Sequence, residues 1–459
     1  MPSIHTWLLA LSACAVEKPS EDDGLEPQGD TGLEWVTLDS LELSENSENV
    51  LSRYVSWQTS EPVLSQIDLD CGDFSASFIG EEPRMVHEVF LMGLYASASC
   101  TLVARAEDAD EETVVEQVLQ FDVGSLPDFL PVLDISQTTD GEVQTGWNLL
   151  NLSDGADQGT FKVAIVDELG RIRWYYELSD SMPGSDNETL IVPEGVLIGG
   201  TLSDRIWPTL VSWEGQVLWQ EELPMHHDIR LDEGEEGRFI YLSQDLEPCS
   251  DGTPNETIEV WDRTTSETLW RWTTCEYYPL EMPMLEGLHL NAVVFFEDEE
   301  TLLISARNIH QLIKIDRETG DVLWTLGKRG DFELPIGQRF WMQHAPEIQE
   351  DGSILLFDNG MEDKREYSRV VNLSYDTETW TAQVNWEMRP NPDIFAPIWG
   401  DADRLSNGNV LATFGHGEED LTSSVIEFDG TGQEVWRLET PKGWGIYRTD
   451  RIEELPSVF

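Results

Sequence analysis

Positive charge is scarce in this sequence. Its 459 residues include 27 Lys and Arg against 89 Asp and Glu, which gives a formal net charge of -62. A surface of this kind repels nucleic-acid phosphates and anionic lipid headgroups, so the composition argues against a DNA- or RNA-binding role. We expect an acidic, well-solvated exterior.

Long hydrophobic runs and the C-x-x-C motif are also missing. Beyond the N-terminus, no stretch approaches the ~18 consecutive apolar residues of a membrane-spanning helix. No C-x-x-C spacing of a zinc or redox site occurs. Hydrophobic residues nevertheless make up 40% of the chain and include 18 Trp, which excludes wholesale disorder. The length exceeds what one core usually sustains and predicts two domains.

The N-terminus has the pattern of an export signal. Residues 7–13 (WLLALSA) form a short apolar run before Cys14, and LSAC resembles a bacterial lipobox. Residues 14–32 form an acidic linker rich in Gly and Pro, typical of a tether. We interpret residues 1–13 as a lipoprotein-type signal peptide and Cys14 as the lipidation site. This predicts an exported lipoprotein, periplasmic or at the outer membrane or cell surface, that contacts the membrane only through its anchor.

The other four cysteines fit an exported protein. They form two pairs that are close in sequence, each inside one predicted domain. Disulfides persist in oxidising compartments, so the arrangement predicts two bonds, Cys71–Cys100 and Cys249–Cys275.

Residues 33–125 predict a β-sandwich. Short runs of alternating apolar and polar residues are separated by turn residues, which is typical of strands in two facing sheets. The strand around Trp57, the Gly93-Leu94 turn and the strand from Cys100 to Arg105 resemble a fibronectin type III, immunoglobulin-like domain.

Residues 130–459 contain a repeat. A short strand, an acidic or Gly turn and a second strand with Trp recur every 45 to 62 residues. This spacing matches one four-stranded propeller blade, and the Trp residues are expected to fill the space between neighbouring sheets. Six repeats predict a six-bladed β-propeller, and the fold class is all-β; a seventh blade would need an undetected repeat. The repeated tryptophans are Trp174, Trp219, Trp270, Trp324, Trp386 and Trp436.

Three of the eight histidines lie at the same phase of successive blades. His227, His289 and His344 each precede the inner hairpin of their blade, where the innermost strand of a propeller faces the central axis. Arg307 ends the hairpin that begins after His289, so we expect it to return beside His289. Candidates for the same wall are His226, Asn291, Gln343, Asn359 and His416.

Imidazoles with one guanidinium suit either a metal or an oxyanion. Histidine ligates zinc and copper, but an arginine inside the cluster repels a cation. Arginine presents a fork of donors to sulfate or phosphate oxygens, and histidine can donate, accept or attack. The oxyanion interpretation is favoured, with no metal and no cofactor.

Seven segments of the repeat region carry a further pattern. They are HHDI at 226–229, LHLN at 288–291, TLLISARNIHQLIKIDRETGDVLWTLG at 301–327, FWMQHA at 340–345, GSILLFDNG at 352–360, SRVV at 368–371 and IYRTDRIEEL at 446–455. Together these segments resemble the bacterial arylsulfotransferases, six-bladed propellers that move a sulfuryl group between phenols. The resemblance covers residues 140–455, and the step from His289 to Arg307 is similar to that family's His–Arg spacing.

The resemblance implies a ping-pong reaction that uses no sulfate-donor nucleotide (PAPS), with an aryl sulfate and a phenol as small-molecule partners. His344 would be the nucleophile that becomes a sulfohistidine. Arg307 and His289 would stabilise the sulfuryl oxygens, and His227 would donate a proton to the phenolic oxygen or accept one.

Two alternatives remain at the level of sequence. The repeats and the acidic face also suit a non-catalytic, surface-anchored binding or assembly propeller. The D-x-x-G-x-x-x-W pattern suggests a quinone-dependent dehydrogenase. The natural donor and acceptor and the oligomeric state do not follow from the sequence.

Overall fold

The computed structural model describes residues 37–80, 82–107, 113–137, 142–154, 161–178, 188–200, 207–232, 237–244, 247–278, 287–296, 300–416 and 420–453. The signal peptide, the linker and Cys14 lie outside these residues.

The chain divides into two compact units. The first comprises Met1–Glu42, Ser56–His87 and Thr101–Gln120, and the second comprises Leu43–Val55, Glu88–Cys100 and Phe121–Phe459. No helix within the described ranges is long and apolar enough to cross a membrane.

The first six strands form one hydrogen-bonded sheet. They are β1 (Leu38–Glu45), β2 (Arg53–Asp70), β3 (Ser75–Ile79), β4 (Arg84–Leu91), β5 (Ser99–Glu107) and β6 (Thr113–Asp122). Their order is β1-β2-β5-β6, and β3 and β4 also pair with β2, so β2 pairs with four of the others. With 18 residues, β2 is long enough to belong to both layers of a sandwich. The two-layered sandwich itself stays a prediction.

The first unit has an aromatic core. Trp57 is 1% exposed, and its ring stacks on His87 at 4.8 Å. Ile67 and Leu69 on β2 and Leu102 on β5 are also buried. Alternate residues of β2 therefore point into one apolar interior, as the period of a strand requires.

Six small antiparallel sheets follow in chain order. The first consists of β8 (Trp147–Ser153), β9 (Phe161–Val166), β10 (Ile172–Glu177) and the last strand, β31 (Gly445–Ile452). The second consists of β11 (Thr189–Val192), β12 (Gly195–Ile198), β13 (Thr209–Ser212) and β14 (Val217–Gln220). The third consists of β15 (Met225–Leu231), β16 (Arg238–Gln244), β17 (Glu256–Asp262) and β18 (Glu267–Thr273).

The remaining three sheets have the same order. The fourth consists of β19 (Leu290–Phe295), β20 (Thr301–Ala306), β21 (Gln311–Asp316) and β22 (Val322–Gly327). The fifth consists of β23 (His344–Ile348), β24 (Ile354–Asp358), β25 (Arg369–Asp376) and β26 (Thr381–Met388). The sixth consists of β27 (Asp401–Arg404), β28 (Val410–Phe414), β29 (Ser424–Phe428) and β30 (Glu434–Glu439), with β7 (Asp134–Gln137) added beside β30. Helical structure in the described ranges is confined to α1 (Thr274–Tyr277) and a 3-10 turn (Ile336–Gln338).

The first strands of neighbouring sheets contact one another in chain order. β11 contacts β15, β15 contacts β19, β19 contacts β23, β23 contacts β27, and β27 contacts β31. In the first sheet, β31 occupies the edge that the first strand holds in the other five. The last strand of the chain therefore completes the set of first strands.

The repeated Trp residues occupy one structural position. Each lies on the fourth strand of its sheet, directly after a register shift of the pairing with the third strand. Trp174, Trp324 and Trp436 are buried, as predicted, whereas Trp219, Trp270 and Trp386 are only half-buried. The Trp174 and Trp436 indoles donate to backbone carbonyls of the next sheet, those of Trp213 and Glu168. These residues thus link neighbouring sheets as well as filling space.

The predicted disulfides are present. Cys249 and Cys275 are bonded to each other across a sequence separation of 26 residues, and Cys71 and Cys100 are also disulfide-bonded. The first bond joins the loop after β16 to α1 and so restrains the edge of the third sheet.

We expect the double variant Cys249→Ala/Cys275→Ala to lose about 3 kcal/mol of unfolding free energy, because the bond restricts a loop of that length in the unfolded chain. Urea unfolding monitored by tryptophan fluorescence measures the change, with the fully reduced parent as control. Unreduced peptide mapping that finds both thiols free would contradict the bond.

Candidate functional site

The three in-phase histidines converge where the first strands meet. His227 lies on β15, His289 directly precedes β19, and His344 is the first residue of β23. Nε2 of His227 lies 3.0 Å from Nε2 of His289, so one ring donates to the other. The His226 ring stands edge-on to the His227 ring, with centroids 4.9 Å apart.

Local backbone distortion aims these side chains. His227 and His289 have positive φ angles of 62° and 56°, which residues other than glycine rarely adopt. The pairing of β15 shifts register between Met225 and Ile229, and that of β19 shifts between Leu290 and Ala292. Bulges of this kind redirect side chains beside functional sites, and strained φ angles persist only where surrounding contacts enforce them.

Glu256 supplies such a contact for His289. Its buried carboxylate accepts hydrogen bonds from the backbone N–H groups of Leu288, His289 and Leu290, at 2.7 to 2.9 Å. Burial raises the pKa of Glu256 to about 7, and the three donors partly oppose that rise. One carboxylate therefore fixes the backbone that carries His289.

Arg307 returns to His289, as the hairpin geometry predicts. It follows β20, and its backbone N–H donates to the His289 carbonyl at 3.0 Å. The half-buried guanidinium donates to the Pro397 carbonyl and to the Asn308 side chain, which are neutral acceptors. Its positive charge helps to lower the pKa values of His289 and His344.

His344 is held in one tautomer. Its Nδ1 lies 2.7 Å from Oδ1 of Asn359 and 3.1 Å from the carbonyl oxygen of Met342. Both partners are acceptors, because the Asn359 amide nitrogen donates to the carbonyls of Ala396 and Trp399. Nδ1 of His344 therefore carries the proton, and its Nε2 keeps a lone pair.

The remaining wall candidates form the framework of the site. Asn291 donates to the Gln343 carbonyl at 2.8 Å, and the Gln343 amide donates to Ser305 and to the carbonyls of Ala306 and Gln311. Both side chains are fully buried. These contacts brace β23 against the fourth sheet, so Gln343 and Asn291 are positioned as supports.

Of the two remaining histidine candidates, His226 lies beside His227, whereas His416 contacts Ser423. The half-buried His226 ring bonds to the backbone of Ser243. His416 follows β28, and its backbone exchanges hydrogen bonds with the Ser423 hydroxyl. A substrate contact by either histidine stays a prediction.

Burial keeps the imidazoles neutral. It is the largest cause that lowers the pKa of His289 to about 3 and that of His226 to about 4. For His227 and His344 burial lowers the pKa well below its usual value, and their neighbours of positive charge add to the effect. At neutral pH each ring therefore has an unprotonated nitrogen that can accept a proton or attack an electrophile.

Sequence reasoning missed several residues here. Arg448 and Tyr447 on β31 reach the backbone around His227 and His289, and His310 accepts a hydrogen bond from the Met342 N–H at 3.2 Å. Because β31 takes the first-strand position in its sheet, the phase of the repeat could have placed Tyr447 and Arg448 beside the histidines. Across the described residues, no group of three or more His, Cys, Asp or Glu side chains is arranged to hold a metal ion.

The chain is thus an all-β protein in which His227, His289 and His344 lie on or directly before the first strands of consecutive sheets, and Arg307 lies beside His289. The chain belongs to the arylsulfotransferase (ASST) family, whose model matches residues 134–448. This confirms the family expected from the sequence. No curated protein matches the chain.

Solved structures resemble the chain only distantly. The Pseudomonas aeruginosa periplasmic gluconolactonase PpgL is 12% identical, with 84% of this chain and 98% of that chain covered and a TM-score of 0.38. An auxiliary nutrient binding protein from Bacteroides ovatus is 12% identical, with 86% of each chain covered and a TM-score of 0.37. Kuenenia stuttgartiensis hydrazine synthase is 12% identical with a TM-score of 0.31, and the match covers 48% of this chain and 51% of that one. TM-scores of this size carry no functional argument.

Asn359 is expected to determine the tautomer of His344. In Asn359→Leu the acceptor is lost, and the His344 ring should distribute between its two tautomers. In Asn359→Asp a carboxylate beside Nδ1 should raise the His344 pKa. Nitrogen chemical shifts of ¹⁵N-histidine-labelled protein measure both effects, with His344→Gln assigning the signal. An unchanged His344 signal in both variants would contradict the assignment.

Acid should destabilise the protein through His289. Its pKa is about 3 in the folded state, so between pH 7 and pH 5 only the unfolded chain gains the proton. That difference costs about 2 kcal/mol of unfolding free energy at pH 5. When the pH falls from 7 to 5, the unfolding free energy of His289→Asn should therefore decrease by about 2 kcal/mol less than that of the parent. Urea unfolding at each pH measures this, and between pH 8 and pH 7 the two proteins should change equally. An equal decrease in both proteins down to pH 5 would refute the low pKa of His289.

Proposed function

We propose that this protein is a PAPS-independent aryl-sulfate sulfotransferase that works through a sulfohistidine on His344. The observation that carries the proposal is the fixed tautomer of His344, whose Nδ1 is held by Asn359 while Nε2 retains its lone pair. A neutral imidazole is a good nucleophile near pH 7. Membership of the arylsulfotransferase family supports the same chemistry.

We further propose that the six sheets are blades of one closed propeller and that the N-terminal strands form a fibronectin type III-like sandwich. The register shift before each repeated Trp supports six equivalent blades. The pairing of β31 with β8 supports closure, because β31 follows the sixth sheet along the chain and is hydrogen-bonded to the first sheet. The site residues would then face the propeller axis.

In the first half-reaction, Nε2 of His344 attacks the sulfur of the aryl sulfate. The N–S bond forms as the S–O bond to the aryl group breaks, and the electron pair leaves with the phenolate. Arg307 and His289 face the sulfuryl oxygens in this proposal. Fixed donors aimed at developing charge contribute about 3 kcal/mol each.

In the second half-reaction, a phenol attacks the sulfur of sulfohistidine and the N–S bond breaks. The depressed pKa of His227 leaves a neutral ring that can accept the phenolic proton. The imidazolium formed there supplies that proton to the phenolate released from the next donor. Atoms and protons balance over the cycle without a cofactor.

The two disulfides support an exported protein, since such bonds persist in oxidising compartments. We propose a periplasmic or surface location with a lipid anchor at Cys14. The partners would be small aryl sulfates and phenols.

With 4-nitrophenyl sulfate as donor and phenol as acceptor, the parent should transfer sulfuryl groups with ping-pong kinetics. His344→Ala should lower kcat by at least about 10³-fold, because no nucleophile remains. His87→Asn, which removes a histidine that stacks on Trp57 in the first unit, should keep full activity. A folded parent that transfers nothing, across a panel of donors, would favour the non-catalytic binding propeller.

A further inference from the structure

Arg448 is a buried cation on the strand that completes the set of first strands. It is 1% exposed. Its guanidinium bonds to the Glu188 carboxylate, to Oδ1 of Asp228 at 2.9 Å and to the Asn291 carbonyl at 2.8 Å. One side chain from β31 thus binds segments of the second, third and fourth sheets.

These partners adjoin two of the site histidines. Asp228 directly follows His227, and its second oxygen accepts the Val293 N–H of β19 at 2.7 Å. Asn291 lies two residues after His289. The hydroxyl of the neighbouring Tyr447 donates a hydrogen bond to the His227 carbonyl at 3.3 Å, and the planes of the Tyr447 and His227 rings are inclined by only 20°.

The carboxylate partners define what Arg448 can do. Asp228 and Glu188 also contact Arg230, at 3.2 and 3.5 Å, so two guanidinium groups share two carboxylates. Because the Arg448 charge is offset by buried carboxylates, it is poorly suited to bind a sulfuryl oxyanion. Its geometry suits a brace between strands.

We propose that Arg448, acting with Asp228, is a positioning residue that holds His227 and His289 at hydrogen-bond distance. The site is therefore assembled only when β31 has docked. This inference rests on the proposed sulfotransferase function and adds a specific dependence: Arg448 acts mainly on proton transfer at the phenolic oxygen, through His227, and affects the attack by His344 only through the position of His289.

The dependence has a kinetic signature. A phenolate of high pKa needs a proton to leave, whereas 4-nitrophenolate leaves readily without one. Arg448→Met should lower kcat about 100-fold with phenyl sulfate, the scale of a 1 Å misplacement. With 4-nitrophenyl sulfate the loss should be about 10-fold or less, and KM should stay nearly constant for both. Arg448→Lys, which keeps the charge, should recover part of the loss.

Arg451 offers a matched control on the same strand. It is also buried, and it bonds to Glu427 at 3.1 Å and to Asn148 at 2.9 Å, residues of the sixth and first sheets. Arg451→Met should lower stability without changing the ratio of rates on the two donors. Tyr447→Phe removes only the hydroxyl contact to His227 and should give a weaker form of the Arg448→Met signature.

A readout without catalysis separates this inference from the proposed function. In ¹⁵N-histidine-labelled protein, Arg448→Met should shift the signals of His227 and His289, while Arg451→Met should leave them in place. A parent with no activity and no sulfuryl adduct would refute the proposed function, whereas these spectra would still test the brace. The inference is overturned if Arg448→Met, or Tyr447→Phe where the former does not fold, leaves both the donor ratio and the two signals unchanged.

Discussion

The hydrogen bond from His344 Nδ1 to Asn359 determines the chemistry that the site can perform. Asn359 can accept it because its amide nitrogen is already committed to the carbonyls of Ala396 and Trp399. The proton is thereby fixed on the nitrogen that faces the protein, and the lone pair is left on the other. Were the amide reversed, the same histidine would have its proton on Nε2 and could donate but not attack.

Burial and charge around this bond act in one direction. The protein as a whole is strongly acidic, yet the groups that influence His344 most are its own burial and the cation of Arg307. Both disfavour a protonated imidazole. Elsewhere on the first strands, opposite charges lie side by side. Arg230 and Arg448 share two carboxylates there, while burial and neighbouring carboxylates raise the pKa values of Asp403 and Asp450. Positive and negative charges therefore offset one another in this second part of the first strands.

The repeated features of this architecture could be predicted from the sequence. Six tryptophans at intervals of 45 to 62 residues indicated six sheets, and equal phase predicted that His227 and His289 would meet although 62 residues separate them. The return of Arg307 followed from hairpin geometry. These inferences needed only periodicity, because a repeated unit places equivalent residues at equivalent points.

The parts that sequence could not supply depend on single contacts. Nothing in the sequence pattern indicates that Asn359 would bond to His344, or that Gln343 would be fully buried as a support. Arg448 on β31 and Asp228 on β15 are bonded across a separation of 220 residues, and Glu256 accepts hydrogen bonds from three backbone N–H groups at the start of the next sheet. Such contacts arise from packing between sheets, and alternation along a strand records only which face is buried.

Intact-protein mass spectrometry after brief mixing with an aryl sulfate is the most direct test of covalent catalysis by His344. A sulfohistidine intermediate predicts an added mass of about 80 Da, one sulfuryl group, on the parent and none on His344→Ala. Peptide mapping should place the adduct on His344, and addition of a phenol should remove it. An unmodified parent that nevertheless releases phenol, or an adduct that persists in His344→Ala, would contradict covalent catalysis by this histidine.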